Sequence, residues 1–293
     1  MEGVVEMYQQ AFGLIKNKSE NGLNASSQRI IAVTSGKGGV GKSNFVANLA
    51  LALADLAKKV LILDADLGLA NVELLFGVTP QCTLLDYLNS EKEVNDLITP
   101  LKSNVDLISG GAGLLELTTL TVKQRKKIIQ LIENLPQNYD IILIDTGAGI
   151  NKEVMSFVAA AREVILIITP EPTSITDAYT MLKMLARHQL NQKIYLVVNR
   201  VRDEKEGEKI AERILLAANK YLNLHPEKLG FLVEDRNLPE AVRQMKPCYW
   251  KFPNSLVTKN LKGIARKLTT ETLTEQKNDN FAGFFTKLLR IFG

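Results

Sequence analysis

Cysteine, tryptophan and long apolar runs are scarce in this sequence of 293 residues. Its two cysteines, Cys82 and Cys248, are too few for a disulfide framework, and they lack the close spacing of metal ligands. No apolar run approaches the roughly 18 residues that a membrane-spanning helix needs. Residues 1–16 lack the basic start and the apolar block of a secretory signal. These absences predict a protein of the reducing cytoplasm.

The overall composition is that of an ordinary globular protein, with 46% hydrophobic and 23% charged residues. It therefore argues against intrinsically disordered and low-complexity classes. Charge is nearly balanced, because 36 Lys and Arg residues face 32 Asp and Glu residues and leave a net charge of +4. So small an excess does not indicate nucleic acid binding by itself.

Seven short apolar runs alternate with helical patterns over residues 29–268. Several are apolar at nearly every position, which is typical of parallel strands covered by helices on both faces. We therefore predict one α/β domain with a mainly parallel, twisted sheet of about seven or eight strands. Residues 17–28 and 269–280 have the polar composition of linkers. The predicted strands are 30–34, 60–64, 105–109, 141–145, 164–169, 194–199 and 229–233.

A glycine-rich loop, SGKGGVGKS, joins the first predicted strand to an apolar helix. It contains the P-loop pattern G-x-x-x-x-G-K-S, and the fold class is therefore predicted to be a P-loop NTPase. Glycines let backbone N–H groups converge on a phosphate at a helix N-terminus, where the helix dipole favours an anion. Lys42 is expected to reach the β- and γ-phosphates, and Ser43 to hold Mg²⁺. The predicted nucleotide-binding residues of the loop are Gly36, Lys37, Gly38, Gly39, Val40, Gly41, Lys42, Ser43 and Asn44.

Acidic residues stand at the ends of two predicted strands. Asp145 ends the run IILID, at the strand edge where open α/β sheets bind ligands, and it is the predicted Walker B residue that supports Mg²⁺. Asp64 and Asp66 end the run VLILDAD. One of these two is expected to be structural and the other to face the site.

Lys37 gives the loop a second lysine, and KGGVGKS resembles the deviant Walker A motif of the MinD/ParA family. The resemblance implies ATP hydrolysis with Mg²⁺ in an ATP-dependent homodimer, where Lys37 reaches the partner's nucleotide. A second cation supplied in this way stabilises charge on the transferred phosphoryl group. The family pattern also implies that Asp66 orients the attacking water and contributes to the metal site. The catalytic residues are then Lys37, Lys42 and Asp66, with Asp64 either supporting them or linked to Mg²⁺.

Two loops are candidates for base recognition, because the family places them beside the adenine ring. Asn199 and Arg200 follow the sixth predicted strand, and Glu234 and Asp235 follow the seventh. Asn199 is the favoured contact, since an amide both donates to and accepts from a purine edge. Ordinary loop caps are the alternative for these residues. The sequence has no guanine-reading N-K-x-D motif, which favours ATP over GTP.

Three further stretches, 64–77, 145–150 and 169–183, resemble the FlhG (YlxH) branch of this family. The branch regulates flagellar number and placement, and it implies the GTPase FlhF and flagellar C-ring components as partners. Gly147 also favours this branch, because cell-division MinD proteins usually carry proline there.

The N-terminal segment, residues 1–28, resembles the activating helix of FlhG proteins followed by a linker. Gln10, Ala11 and Leu14 match the DQAxxLR-type motif that stimulates FlhF, whereas Gln9 and Ile15 depart from it. A plain helical extension is the alternative.

The C-terminal segment, residues 269–293, is predicted to be a linker followed by an amphipathic membrane-targeting helix. Its apolar side chains recur at helical spacing on one face, with Lys287 and Arg290 off that face. This composition is typical of an interfacial helix on an anionic membrane, so we expect reversible association with the inner face of the cell membrane. Docking on its own domain is the alternative. The predicted membrane residues are Phe281, Phe284, Phe285, Leu288, Leu289 and Phe292.

Three related functions share the P-loop. A septum-site MinD has the same loop and tail and differs in its partners. A ParA-type partition ATPase binds DNA, but the amphipathic tail and the modest net charge favour a membrane, so no nucleic acid partner is expected. An iron–sulfur carrier of the same class needs bridging C-x-x-C cysteines, which Cys82 and Cys248 do not provide.

Overall fold

A single eight-stranded sheet organises the described part of the chain. The strands are β1 (Arg29–Thr34), β2 (Val60–Ala65), β3 (Ile98–Pro100), β4 (Val105–Ile108), β5 (Ile141–Thr146), β6 (Glu163–Ile168), β7 (Lys193–Val201) and β8 (Glu227–Val233). Their order across the sheet is β3-β4-β2-β5-β1-β6-β7-β8. Every pairing is parallel except that of β3 with β4, which is antiparallel.

Helices connect these strands and cover the sheet on both faces. The helices that the described residues outline completely are α1 (Lys42–Ala54), α2 (Val72–Phe76), α3 (Leu84–Asn89), α4 (Pro172–Arg187), α5 (Glu204–Leu222), α6 (Asn237–Arg243), α7 (Cys248–Lys251) and α8 (Leu256–Thr270), with a 3₁₀ turn at Val94–Leu97. Within the described residues, no helix combines the length and the apolar character needed to cross a membrane.

The computed structural model describes residues 28–270 except 67–70, 91, 103, 112–126, 128–130, 132–134, 137, 152–153, 156, 159–160 and 189–192. The N-terminal motif and the C-terminal amphipathic segment, with all their predicted site residues, lie outside the described residues. Helix α8 continues through Thr270, so two residues assigned to the linker are helical. The hydroxyls of Thr269 and Thr270 donate to backbone carbonyls of the preceding turn.

The predicted fold class is confirmed, and seven of the eight strands agree with the sequence prediction to within two residues at each end. The prediction omits β3. That strand has three residues, ends at Pro100 and pairs only at the sheet edge, so it carries no periodic apolar signal.

Alternating side chains of the central strand β1 enter two apolar layers. Ile31 and Val33 pack with α1 and α8 on one face, whereas Ile30 and Ala32 pack with α4 and α5 on the other. Both layers are buried, as expected for a parallel sheet covered on both sides. This arrangement places the carboxyl ends of β1, β2, β5 and β6 at one edge, where the site lies.

At the opposite end of the strands, a buried ion pair joins the first residues of β1 and β6. Arg29 Nε and Nη2 donate to the two carboxylate oxygens of Glu163 at 2.8 and 2.5 Å, and Glu163 is fully buried. The third donor of Arg29, Nη1, binds the carbonyl oxygen of Leu268. The bidentate pair compensates for the loss of hydration, and the bond to Leu268 holds the end of α8 against the sheet.

Candidate nucleotide-binding site

The phosphate loop runs from the end of β1 to the start of α1. Gly41 precedes the helix with φ +94°, a left-handed conformation that glycine adopts without steric cost. Lys42 is the first residue of α1, so its N–H group and those of Ser43 and Asn44 have no partner within the helix. The loop thus ends on a helix N-terminus that can receive a phosphate group.

Lys42 is buried inside this loop. Its Nζ donates to Ser35 Oγ at 3.1 Å, and Ser35 Oγ in turn donates to the carbonyl oxygen of Lys37 at 2.7 Å. Burial lowers the pKa of Lys42, whereas Asp145 and Asp66 raise it by charge attraction. The ammonium group is therefore held between the loop and two carboxylates.

Asp145 stands at the end of β5 and is 1% exposed. Among the described residues, neither of its carboxylate oxygens has a hydrogen-bond partner of normal geometry. Burial raises its pKa to about 7, and nearby Ser43 and Lys42 oppose that shift by stabilising the charged form. A buried carboxylate without a partner is costly, and beside a hydroxyl it forms an oxygen-rich site that fits Mg²⁺.

Asp64 supports the loop that follows β2. It is fully buried, and its carboxylate accepts backbone N–H groups from Asp66 at 3.1 Å, Asn71 at 3.0 Å and Val72 at 3.2 Å. Burial, followed by the charge of Asp145, raises its pKa to about 8. These three backbone hydrogen bonds make Asp64 a structural residue.

Asp66 is the acid that faces the site. Its charge raises the pKa of both Lys42 and Asp145, so the three side chains share one electrostatic environment. A Cβ atom at Gly147 would lie 3.7 Å from Asp66 Oδ1, so Gly147, the residue after β5, packs beside this carboxylate.

Lys37 lies at the rim of the loop and contacts α4 of its own chain. Its Nζ donates to Glu171 Oε2 at 2.7 Å and to Thr173 Oγ1 at 3.0 Å. The bond to Lys37 lowers the pKa of Glu171. Glu171 was not among the site residues predicted from the sequence. The available signal was its position after β6, but only the strand order reveals that β6 is next to β1.

Gly36 brings α4 against the phosphate loop. A Cβ atom there would lie 2.4 Å from the backbone carbon and oxygen of Asp177, a distance that no side chain tolerates. Along α4, Asp177 is partly buried and Lys183 is exposed. The loop and α4 are thus in direct backbone contact.

Asn199 supports the phosphate loop, and it belongs to the base side, which we define as the four residues predicted for base recognition (Asn199, Arg200, Glu234 and Asp235). Its Nδ2 donates to the carbonyl oxygen of Val40 at 2.7 Å, and its Oδ1 accepts the backbone N–H of Arg200 at 2.9 Å. A Cβ atom at Gly41 would lie 2.6 Å from the same Nδ2. One N–H and one lone pair of the amide remain for a base, so adenine recognition stays a prediction.

The other residues of the base side differ in exposure and in contacts. Asp235 accepts the backbone N–H groups of Asn237 at 2.9 Å and Val257 at 3.3 Å. It therefore acts as a loop cap, which was the alternative to base recognition for this residue. Arg200 and Glu234 are exposed. Their contact with a base is likewise still a prediction.

Comparison with known proteins agrees with this geometry. The AAA domain family (AAA_31) matches residues 28–198. The antiactivator FleN of Pseudomonas aeruginosa is 36% identical over 262 residues, which cover 89% of this chain and 94% of that protein. The flagellum site-determining protein YlxH of Helicobacter pylori is 33% identical over 285 residues, with coverage of 95% and 96%.

Solved structures of MinD share the fold. The cell division ATPase MinD of Pyrococcus furiosus superposes with a TM-score of 0.69 at 29% identity, covering 83% of this chain and 98% of that chain. The septum site-determining protein MinD of Pyrococcus horikoshii, complexed with Mg-ADP, has the same TM-score at 27% identity, with coverage of 88% and 98%.

The parallel sheet, the glycine loop around Lys42 and the acid at the end of the adjacent strand define a P-loop ATPase of the MinD/ParA type. This class explains why Lys42, Asp66 and Asp145 converge at one edge of the sheet. Within the class, the chain belongs to the FlhG family, together with FleN and YlxH, as the sequence resemblance implied.

Proposed function

We propose that this ATPase is a switch that forms a homodimer with ATP, associates with the inner face of the cell membrane and regulates flagellar number and placement. The observation that carries the proposal is the pair of lysines in one phosphate loop, with Lys42 buried inside and Lys37 at the rim. The names of two relatives, the antiactivator FleN and the flagellum site-determining protein YlxH, support the flagellar role.

In the proposed reaction, the backbone N–H groups of the loop and the Lys42 ammonium bind the phosphates of ATP. Ser43, Asp66 and Asp145 supply oxygen ligands that suit Mg²⁺, directly or through water. When bound, Mg²⁺ neutralises charge on the phosphate oxygens. Asp66 orients the attacking water, because its carboxylate faces the site while Asp64 is engaged with the backbone.

Lys37 is proposed to act across the dimer. In the single chain it is bound to Glu171 and Thr173, both of α4 or its cap, and its side chain remains 39% exposed. A partly exposed ion pair of this kind contributes little stability. The contact can therefore exchange for the more highly charged phosphates of a nucleotide held by a second subunit.

Sedimentation velocity of the full chain tests this dimer. We expect a monomer with Mg-ADP, a dimer with Mg-ATP and no ATP-dependent dimer for Lys37→Ala. Lys58→Ala, a change to a half-exposed lysine beyond the other end of α1, is the matched control. A normal ATP dimer of the Lys37 variant would contradict the trans role. Asp66→Ala is expected to retain the ATP dimer, and rapid ATP turnover by that variant would contradict the role of Asp66.

Vesicle co-sedimentation tests the membrane association. The full chain is expected to pellet with anionic vesicles in Mg-ATP and to remain in solution in Mg-ADP, because dimerisation doubles a weak amphipathic contact. A chain ending at Asn280 is expected to remain in solution in both states. Equal pelleting of the two chains would contradict the membrane role of the tail.

The proposed partners are the GTPase FlhF and components of the flagellar C-ring. Gln10, Ala11 and Leu14 are proposed to stimulate the GTPase. We expect the full chain to raise GTP hydrolysis by FlhF and a chain beginning at residue 17 not to do so. Absence of stimulation by the full chain would favour the septum-site MinD function, whose members share the fold.

A further inference from the structure

Positive charge is concentrated in the last described part of the chain. Residues 236–270, which form α6, α7 and α8, contain eight Lys or Arg residues and one acidic residue, Glu240, a net charge of +7. The whole chain carries only +4, so the remaining residues are net negative. A surface this uneven creates a local positive potential that the overall balance conceals.

Most of this charge lies around α7 and along α8. Lys259, Lys262 and Arg266 recur at i, i+3 and i+7, which places them on one side of α8, away from its buried residues such as Leu261 and Ile264. Lys102, whose Nζ lies over the Trp250 ring of α7, belongs to the same group. We call this surface the basic face and define it by Lys102, Lys246, Lys251, Lys259, Lys262 and Arg266.

Aromatic rings of α7 and the residue after it lie beneath these cations. Lys262 Nζ is 5.5 Å from the ring centre of Tyr249, Lys102 Nζ is 5.8 Å from that of Trp250, and Lys251 Nζ is 5.7 Å from that of Phe252. Cation–π attraction holds the ammonium groups over the rings without neutralising their charge.

Exposed apolar side chains border the basic face. Leu256 at the start of α8 is 58% exposed, and Met245 before α7 is 54% exposed. Trp250 is partly buried and stacks edge-on against Phe76 at 5.6 Å. Apolar and aromatic groups beside lysines whose stems cover them are typical of surfaces at a membrane interface.

Two acidic groups beside the basic face are already engaged. Glu240 pairs with Arg243 at 3.2 Å, and Asp55 accepts the Tyr249 hydroxyl at 2.6 Å. Neither removes the excess of positive charge, because six cations remain against these two acids.

We propose that the basic face binds the anionic headgroups of a lipid bilayer and so orients the ATPase domain on the membrane. The proposal rests on the proposed membrane association and adds a second contact to it. Helix α8 ends at Thr270, and the ten residues before Phe281 span at most about 35 Å. A tail bound to a membrane therefore keeps α8 close to that membrane.

Lipid is favoured over nucleic acid by the chemistry of the face. Nucleic acid surfaces use aromatic rings for base stacking, but here the rings are covered by lysines or packed edge-on. Exposed Leu256 and Met245 gain nothing from a phosphate backbone, whereas the interfacial region of a bilayer accepts them.

The test uses the full chain in Mg-ATP with phosphatidylcholine vesicles that contain either no phosphatidylglycerol or about 30% of it, enough for a negative surface potential. The variant is Lys259→Gln/Lys262→Gln/Arg266→Gln. The matched control is Lys205→Gln/Lys209→Gln/Arg213→Gln, which removes the same charge from exposed positions of α5. Circular dichroism and ATP hydrolysis check that both variants are folded.

We expect the α8 variant to bind anionic vesicles about tenfold or more weakly than the wild type, with the control within about twofold. The difference should vanish at about 1 M salt, where the Debye length is about 3 Å. Unchanged binding of the α8 variant, or an equal loss in the control, overturns the proposal while leaving the tail's role intact. If the α8 variant instead loses binding to duplex DNA that the wild type shows, the basic face is assigned to nucleic acid. Failure of the wild type to bind any vesicle overturns both proposals.

Discussion

The phosphate side and the base side of the nucleotide site are built differently. On the phosphate side, Lys42, Asp64 and Asp145 are buried, and Gly36 lies against the backbone of α4. On the base side, the side chains of Arg200 and Glu234 are exposed. The first region is held by backbone packing and buried charge, whereas the second combines buried Asn199 and partly buried Asp235 with two exposed side chains.

This difference indicates where the site tolerates change. Buried groups in contact with backbone have no room to move, so substitution there costs both stability and activity. Exposed loop residues lose only their own contacts. Asn199 connects the two regions, because it belongs to the base side but binds the carbonyl oxygen of Val40 in the phosphate loop.

Replacing Lys42 should have the largest effect. Lys42→Ala removes the cation placed to stabilise charge on the transferred phosphoryl group, and we expect ATP hydrolysis to fall by about a thousandfold. Phosphate release in Mg-ATP measures this effect. Lys58→Ala should remain within about twofold, since surface changes distant from the site are nearly neutral. If ATP hydrolysis by the Lys42 variant fell by less than about tenfold, the phosphate side would not be more sensitive to substitution than the base side.

Gly36→Ala tests the backbone contact between the phosphate loop and α4. Its Cβ would lie 2.4 Å from the Asp177 backbone, so the two segments must separate, and we expect the free energy of unfolding to fall by about 2 kcal/mol. Urea denaturation without nucleotide measures it. At Gly38 the nearest atom is 3.7 Å away, and Gly38→Ala should change stability by less than about 0.5 kcal/mol. Equal effects at both glycines would contradict close packing at Gly36.

Asp145→Asn tests the cost of buried charge when Mg²⁺ is removed by chelation. Burial raises the folded-state pKa of Asp145 to about 7, above the ordinary value, so wild-type stability is lost as pH rises through that pKa. The variant carries no such charge. Relative to wild type, we expect it to gain about 2 kcal/mol of unfolding free energy between pH 5 and pH 8.

The control for that experiment is Asp140→Asn, at an exposed carboxylate just before β5. Its stability difference from wild type should be nearly the same at both pH values. A gain for Asp145→Asn that does not increase with pH would show that its carboxylate is not destabilised by burial.

Asn199→Ala tests both sides of the site, because Asn199 bonds to the phosphate loop and is predicted to contact the base. It should have the smallest effect of the four substitutions. It leaves the Val40 carbonyl unpaired and removes the proposed base contact, so we expect ATP to bind about tenfold more weakly. Calorimetry with ATP and with inorganic tripolyphosphate separates these contributions. ATP should lose more affinity than tripolyphosphate, and equal losses would exclude a base contact. Glu234→Gln is the exposed control and should stay within about twofold.

The sequence alone determined the fold class and the phosphate loop. Buried parallel strands are apolar at nearly every position, and the loop motif is contiguous, so both are local signals. For the same reason β3 escaped prediction, because its pairing with β4 is its only distinguishing feature.

Only the tertiary structure decided how the site is assembled. It showed that Asp64 accepts three backbone N–H groups, a contact that the run DAD does not reveal and that the sequence anticipated only through the family resemblance. It joined Lys37 to Glu171 across 134 positions and gathered Lys102 with Lys262 around α7. Such contacts depend on strand order and helix packing, which bring together residues that no local pattern relates.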